Sequence, residues 1–110
     1  LKPIFVAISL KKRSILVKNK DVGYKYNERS ALVELQKYID ATYDEHYSKN
    51  KFQATEFIID GGHGEGFCIG NIMKYAQRYG KKGGKNRSDL LKVIHYGIIA
   101  LYINELEGEK

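Results

Sequence analysis

The residues best placed to do chemistry in this 110-residue chain lie between Asn71 and Tyr96. Asn71, Lys74 and Arg78 recur at spacings of three and four, and Asp89, Lys92 and Tyr96 repeat that spacing beyond a Gly- and Lys-rich turn. On helices, such spacing lines each trio along one face. If the two helices fold back on each other, Arg78 faces Asp89, while Lys74 and Asn71 approach Lys92 and Tyr96. One reading is structural: Arg78 and Asp89 form an ion pair that fixes the hairpin. The other is functional. Lys74 and Lys92 have no acid at a matching position, and unpaired cations in one groove are costly unless an anion visits.

The charge of the whole chain points to the same place. Its net charge of +6 comes from 19 Lys and Arg against 13 Asp and Glu. Between Lys74 and Lys92 stand seven basic residues against the single acid Asp89, so this segment carries the entire excess. A patch of that extent suits the phosphates of a nucleotide rather than a polymer. Duplex DNA binding would rest on charge alone and is disfavoured by the acidic chain end and the lack of a polar recognition helix. Upstream, Gly61 to Gly66 holds four glycines in six residues and leads into a helix start. Free backbone amides there, at Gly64 and Gly66, could hold a phosphate, although a plain tight connection explains the loop equally well. The pattern is neither a Walker A loop nor a dinucleotide fingerprint. His63 in that loop could serve as a general acid or base but reads rather as an exposed residue without a duty, and Cys68 as a buried helix-start residue rather than a nucleophile. The chain has nine tyrosines and no tryptophan. Tyr75 and Tyr79 flank the basic face, where they could stack on a base or simply pack.

These side chains need elements to hold them. Pro3 to Leu10 and Ile15 to Val17, joined by the basic turn Lys11 to Ser14, read as a β-hairpin, with a third extended piece at Tyr24 to Tyr26. Asn27 can cap a helix over about 28–45 whose buried face is Leu32, Leu35, Ile39 and Tyr43. Phe52 to Asp60 reads as helix or strand from its apolar residues alone. Four glycines in the loop place the next helix start near Cys68, and Gly80 is placed to end that helix in a left-handed cap. Ser88 caps the last helix, which is apolar nearly all round and therefore belongs in a core or a subunit interface; a homo-oligomer follows. The tail with Glu105, Glu107 and Glu109, over 105–110, is expected to fray. The fold class is thus α+β: an N-terminal β-hairpin and a mainly helical body ending in an antiparallel helical hairpin.

Other classes are disfavoured. No apolar run approaches the roughly 18 to 20 residues of a membrane helix, and nothing resembles a secretory or transit segment. One cysteine cannot form an internal disulfide and lacks the paired spacing of a zinc site, which suits a reducing cytoplasm. The chain begins at Leu1 rather than Met, which leaves open a missing start residue or an upstream piece.

Gly66-Phe-Cys-Ile-Gly-Asn-Ile-Met-Lys-Tyr-Ala-Gln-Arg-Tyr-Gly-Lys-Lys82, followed by Asp89-Leu-Leu-Lys92 and Tyr96, resembles the bacteriophage nucleotide-kinase-like domain family. His46-Tyr47 and Ala54-Thr-Glu-Phe-Ile58 extend the resemblance over about 46–104, leaving 1–45 as a hairpin and helix on the same core. The resemblance implies a phage origin, a helical fold, a helix for Phe52 to Asp60, and a location in the cytoplasm of an infected host cell. It also implies a nucleotide-binding protein, with transfer of phosphate from a nucleoside triphosphate to a deoxynucleoside monophosphate where catalysis occurs. Such transfer needs positioning and charge neutralisation more than a protein nucleophile. Lys74, Arg78, Lys81, Lys82 and Lys92 would neutralise phosphate, Asn71 would bond a phosphate or base edge, and Asp89 and Arg78 would be the catalytic residues, Asp89 accepting a proton or holding a metal unless pairing with Arg78 makes it structural. With Asp89 almost alone, a two-metal mechanism is disfavoured; no metal site is assigned, and a magnesium requirement stays open. The alternative is a non-catalytic phage protein that sequesters a nucleotide or cyclic-nucleotide defence signal.

Overall fold

The computed structural model describes residues 22–45 and 48–108. These residues form four helices: α1 (Glu28–Asp44), α2 (Ser48–Asp60), α3 (Gly64–Arg78) and α4 (Arg87–Gly108). No strand occurs among them, so the α+β expectation is corrected to a helical fold over the described part. The expected β-hairpin at 3–17 lies outside the described residues. Tyr24 to Tyr26 is not extended into a strand either; this piece runs irregularly into α1. Phe52 to Asp60 is helical throughout, which settles the open choice between helix and strand.

The chain divides into two compact units, Leu1–Ala31 and Leu32–Lys110, with the division falling inside α1. In the described part of the first unit, Asn27 takes a left-handed φ of 61°, a conformation asparagine tolerates better than most residues. Its carbonyl accepts the first helical hydrogen bond from the Ala31 N–H at 3.0 Å. Glu28 Oε1 accepts from the Tyr26 N–H at 2.8 Å and places an acid in the favourable first turn.

In the second unit the inward face of α1 is rotated from the expected one. Leu35 is buried, and Tyr38, Ile39 and Thr42 are half-buried at the i, i+3, i+4, i+7 spacing of one stripe. Leu32 and Tyr43 are exposed, although Tyr43 stacks on Phe52 at 4.3 Å between ring centroids. An aromatic ring at the next helix thus draws Tyr43 sideways, and the half-polar Tyr38 and Thr42 take the inward places.

α2 ends in a Schellman turn. His63 N–H donates to Ile58 O and Gly62 N–H to Ile59 O, both at 3.0 Å, with Gly62 at a φ of 86°. α3 then begins at Gly64 instead of near Cys68. The second half of the glycine-rich stretch, from Gly64, is helical because Gly64 is buried where α2, α3 and α4 meet. A Cβ at this position would stand 2.8 Å from Ile103 Cδ1 and 3.0 Å from Ile59 Cγ1. Close packing outweighs the roughly 1 kcal/mol that glycine loses in a helix.

Gly80 closes α3 with a φ of 86°, as its position predicts. Beyond the turn, the α4 cap is Asn86 and not Ser88. Asn86 Oδ1 accepts from the Ser88 N–H at 3.0 Å and from Ser88 Oγ at 2.9 Å, satisfying an amide the helix leaves free. α4 is 22 residues long and carries Glu105 and Glu107 within it, so the expected fraying does not begin at 105. α3 and α4 pair antiparallel: Arg78 meets Asp89, Tyr75 meets Lys92 and Tyr96, and Gly64 meets Ile103. Among the described residues, Leu35, Gly64, Cys68, Asp89 and Ile103 are buried. Four of the five belong to this hairpin.

Candidate ligand-binding site

The polar end of the α3 and α4 hairpin is built around two contacts. The first is the ion pair of Arg78 Nε with Asp89 Oδ1 at 3.5 Å. Asp89 is fully buried, while Arg78 remains 31% exposed. Neither carboxylate oxygen nor Arg78 Nε has a hydrogen-bond partner. The pair therefore rests on charge, with Arg78 compensating a carboxylate that burial would otherwise heavily penalise.

The second contact is a cluster of cations around one ring. Lys74 Nζ and Lys92 Nζ lie 5.0 and 5.1 Å from the centre of the Tyr75 ring, and Arg78 Cζ lies 5.8 Å from it. Each position is within cation–π range. Tyr75 in turn stacks on Tyr96, with ring centroids 6.1 Å apart and planes at 12°, and Phe67 meets Tyr96 edge-on at 5.8 Å. Ring faces offset part of the mutual repulsion of three converging positive charges. Among the described residues neither Lys74 nor Lys92 has an ion-pair partner.

Beside this cluster opens a pocket of about 320 Å³. Tyr38 of α1, Phe52 of α2, Tyr75 of α3, and Lys92, His95 and Tyr96 of α4 supply its main walls. Tyr38 meets His95 edge-on, with centroids at 6.1 Å and planes at 89°. Burial pushes the phenol groups of Tyr38 and Tyr96 above their ordinary range, with the neighbouring Tyr75 adding to both. The phenols consequently stay neutral and can donate hydrogen bonds. Glu45 is the acid on the pocket wall, and its charge also raises the Tyr38 phenol. The arrangement offers flat apolar faces, several polar edges and a cationic rim. That combination suits a planar ring joined to an anionic group.

The residues predicted for one site fall into several places. Lys74, Tyr75, Arg78, Asp89 and Lys92 are together. Asn71 lies about one turn away along α3, and its amide is already occupied, with Nδ2 donating to Phe67 O at 2.9 Å. Lys81 and Lys82 are exposed in the turn, where their backbone amides donate to Arg78 O at 2.9 and 3.3 Å. Gly64 and Gly66 begin α3, about 15 Å along the helix from Lys74 at the usual rise per residue. Tyr79 is the C-cap of α3, its N–H donating to Tyr75 O at 3.1 Å. His63 precedes α3 without a side-chain capping bond. Cys68 is fully buried, and burial pushes its thiol up, away from the reactive thiolate. Among the described residues no three His, Cys, Asp or Glu side chains converge as a metal site.

Sequence reasoning missed Tyr38, Phe52 and His95. His95 carried a usable signal, since it stands three residues after Lys92 and four before Ile99 on one face of α4. Tyr38 carried another, in the stripe it shares with Leu35 and Thr42.

The fold and site define a helical chain with a cationic, aromatic pocket on an antiparallel helix pair. The chain belongs to the family described as proteins of unknown function, DUF3310, which matches residues 41–97, just over half of it. That match holds every residue of the cation cluster. It also replaces the resemblance to a bacteriophage nucleotide-kinase-like family over 46–104, which no named relative or related structure supports. No match was found among curated proteins or among solved structures. No helix among the described residues is long and apolar enough to cross a membrane.

Proposed function

We propose that the chain binds a nucleotide, its base in the aromatic pocket and its phosphate on Lys74, Arg78 and Lys92. The observation that carries this reading is the convergence of those three cations on the Tyr75 ring at the edge of a pocket of about 320 Å³. That volume sits at the lower end of small-molecule sites and suits a single nucleotide rather than a polymer. Binding without chemistry is favoured over phosphoryl transfer because Asp89, the acid nearest the cations, is fully buried beneath Arg78 and cannot reach a substrate proton. The single buried thiol of Cys68 supports a reducing, cytoplasmic setting, and the apolar outward side of α4 supports self-association.

Calorimetry against mono-, di-, tri- and cyclic nucleotides tests the reading. One class is expected to give saturable heat, and Lys92→Ala to weaken it about tenfold or more, the loss expected for one charge-assisted contact. Uniform absence of heat with the folded wild-type protein would overturn it.

A further inference from the structure

We propose that a second copy of this chain docks on the outward side of α4, the two helices antiparallel and crossing at Gly97. Leu90, Ile94 and Leu101 are between 41% and 68% exposed, a row of apolar surface on the side of α4 turned away from α3. Leu90, Ile94, Gly97 and Leu101 follow each other at spacings of four, three and four. That alternation is the seam of a helix pair. The stripe faces away from the ligand site, because Asp89, Lys92, Tyr96 and Ile103 occupy the opposite side of the same helix.

Two further observations select the occupant and its direction. Gly97 lies mid-helix, where glycine loses about 1 kcal/mol relative to alanine. Among the described residues a Cβ there would meet no atom within 4 Å, so packing within the described part gives no reason for the glycine. Close approach of another backbone would give one, and Gly97 stands midway along the apolar row. The second observation is charge. α4 starts beside Lys85 and, on the side of the apolar row, ends with Glu105, with no basic residue in its last turn. An antiparallel pair crossing at Gly97 sets the acidic end of each helix against the basic start of the other, and Leu90 of one copy near Asn104 of the other. A parallel pair would set like charges together at both ends. A two-fold axis through Gly97 satisfies all of these contacts twice, as a closed dimer requires. The interface gives the proposed self-association its surface and is independent of the ligand reading.

Sedimentation of the full chain tests it without any ligand. A dimer is expected at about 100 μM protein, a concentration that detects even a weak pair. Ile94→Glu, which would bury a charge at both symmetric places, is expected to raise the dissociation constant about 100-fold or more while circular dichroism stays helical. Met73→Glu, on the exposed outer side of α3, is expected to leave the dimer intact. Gly97→Cys should give a covalent dimer on mild oxidation, because that residue meets itself at the axis, whereas Leu90→Cys should not. A monomeric wild type would overturn the proposal. So would a dimer lost on Met73→Glu but kept on Ile94→Glu, or efficient Leu90→Cys cross-linking, which would mean a parallel pair; in those two cases self-association would stand and this interface would not.

Discussion

The two ends of the α3 and α4 hairpin are held by opposite means. Near the turn, Arg78, Asp89, Tyr75 and Lys92 join the helices through charge and ring faces, and part of that charge stays open to solvent. At the far end Gly64 lets Ile59 and Ile103 close over the first turn of α3, with no polar group used. The apolar end contributes rigidity and tolerates no extra atom. Among the described residues, the turn end leaves two lysines without ion-pair partners while a buried carboxylate accepts no hydrogen bond. A fold tuned only for stability would have exchanged such groups for apolar ones. The contrast supports the proposed placement of a ligand at the turn end.

The contrast can be broken most severely at Arg78. Arg78→Ala leaves the Asp89 carboxylate buried and alone, with an expected loss of about 3 kcal/mol of stability in urea unfolding. The Arg78→Ala, Asp89→Ala double variant should regain most of that loss, since both partners are gone, yet it should not regain nucleotide binding. If stability and binding return together, Arg78 acts only through the fold.

Gly64→Val probes the other end and comes next in size. Overpacking against Ile59 and Ile103 should cost about 2 kcal/mol, moderated by the flexible tips of those side chains. Nucleotide affinity of the folded fraction should be unchanged. A parallel loss of affinity would mean that the two ends are coupled.

The smallest expected effect sharpens how α1 is tied to the turn end. Arg87 donates to both carboxylate oxygens of Glu34, at 2.6 and 2.5 Å, and this bond holds the Glu34 carboxyl below its ordinary range. A depressed carboxylate contributes stability above its unfolded pKa and loses it as pH falls through the lower folded value. Thermal unfolding of wild type and Glu34→Gln should therefore differ at pH 7 and converge in acid below the ordinary carboxylate range. Because both groups face solvent, the difference should also shrink in high salt. Equal melting at pH 7 would show that the pair adds nothing to the tie.

Much of this hairpin was legible from spacing. Gly80, the Arg78 and Asp89 pair, and the approach of Lys74 and Lys92 all follow from helical period and a single reversal of direction. The start of α3 was not, because local propensity argues against a helix at Gly64 and only its meeting with Ile59 and Ile103 overrides that. The inward face of α1 was misread for a related reason. Leu32 and Tyr43 look more apolar than Tyr38 and Thr42, but the stacking of Tyr43 on Phe52 decides the rotation of the helix. Serine's preference for caps points to Ser88, while Asn86, two residues earlier, has the oxygen in reach.

Charge is additive along a chain, so the position of the whole excess of +6 between Lys74 and Lys92 could be read without a fold. Period is local, so a helical hairpin through the same residues could be read as well. Which cations gather on one ring could not. Lys74, Arg78 and Lys92 gather on Tyr75, while Lys81, Lys82 and the glycines of the α3 start lie elsewhere. The pocket walls come from four helices, two of them N-terminal to the motif, and such neighbours are chosen by packing across the chain rather than by spacing along it.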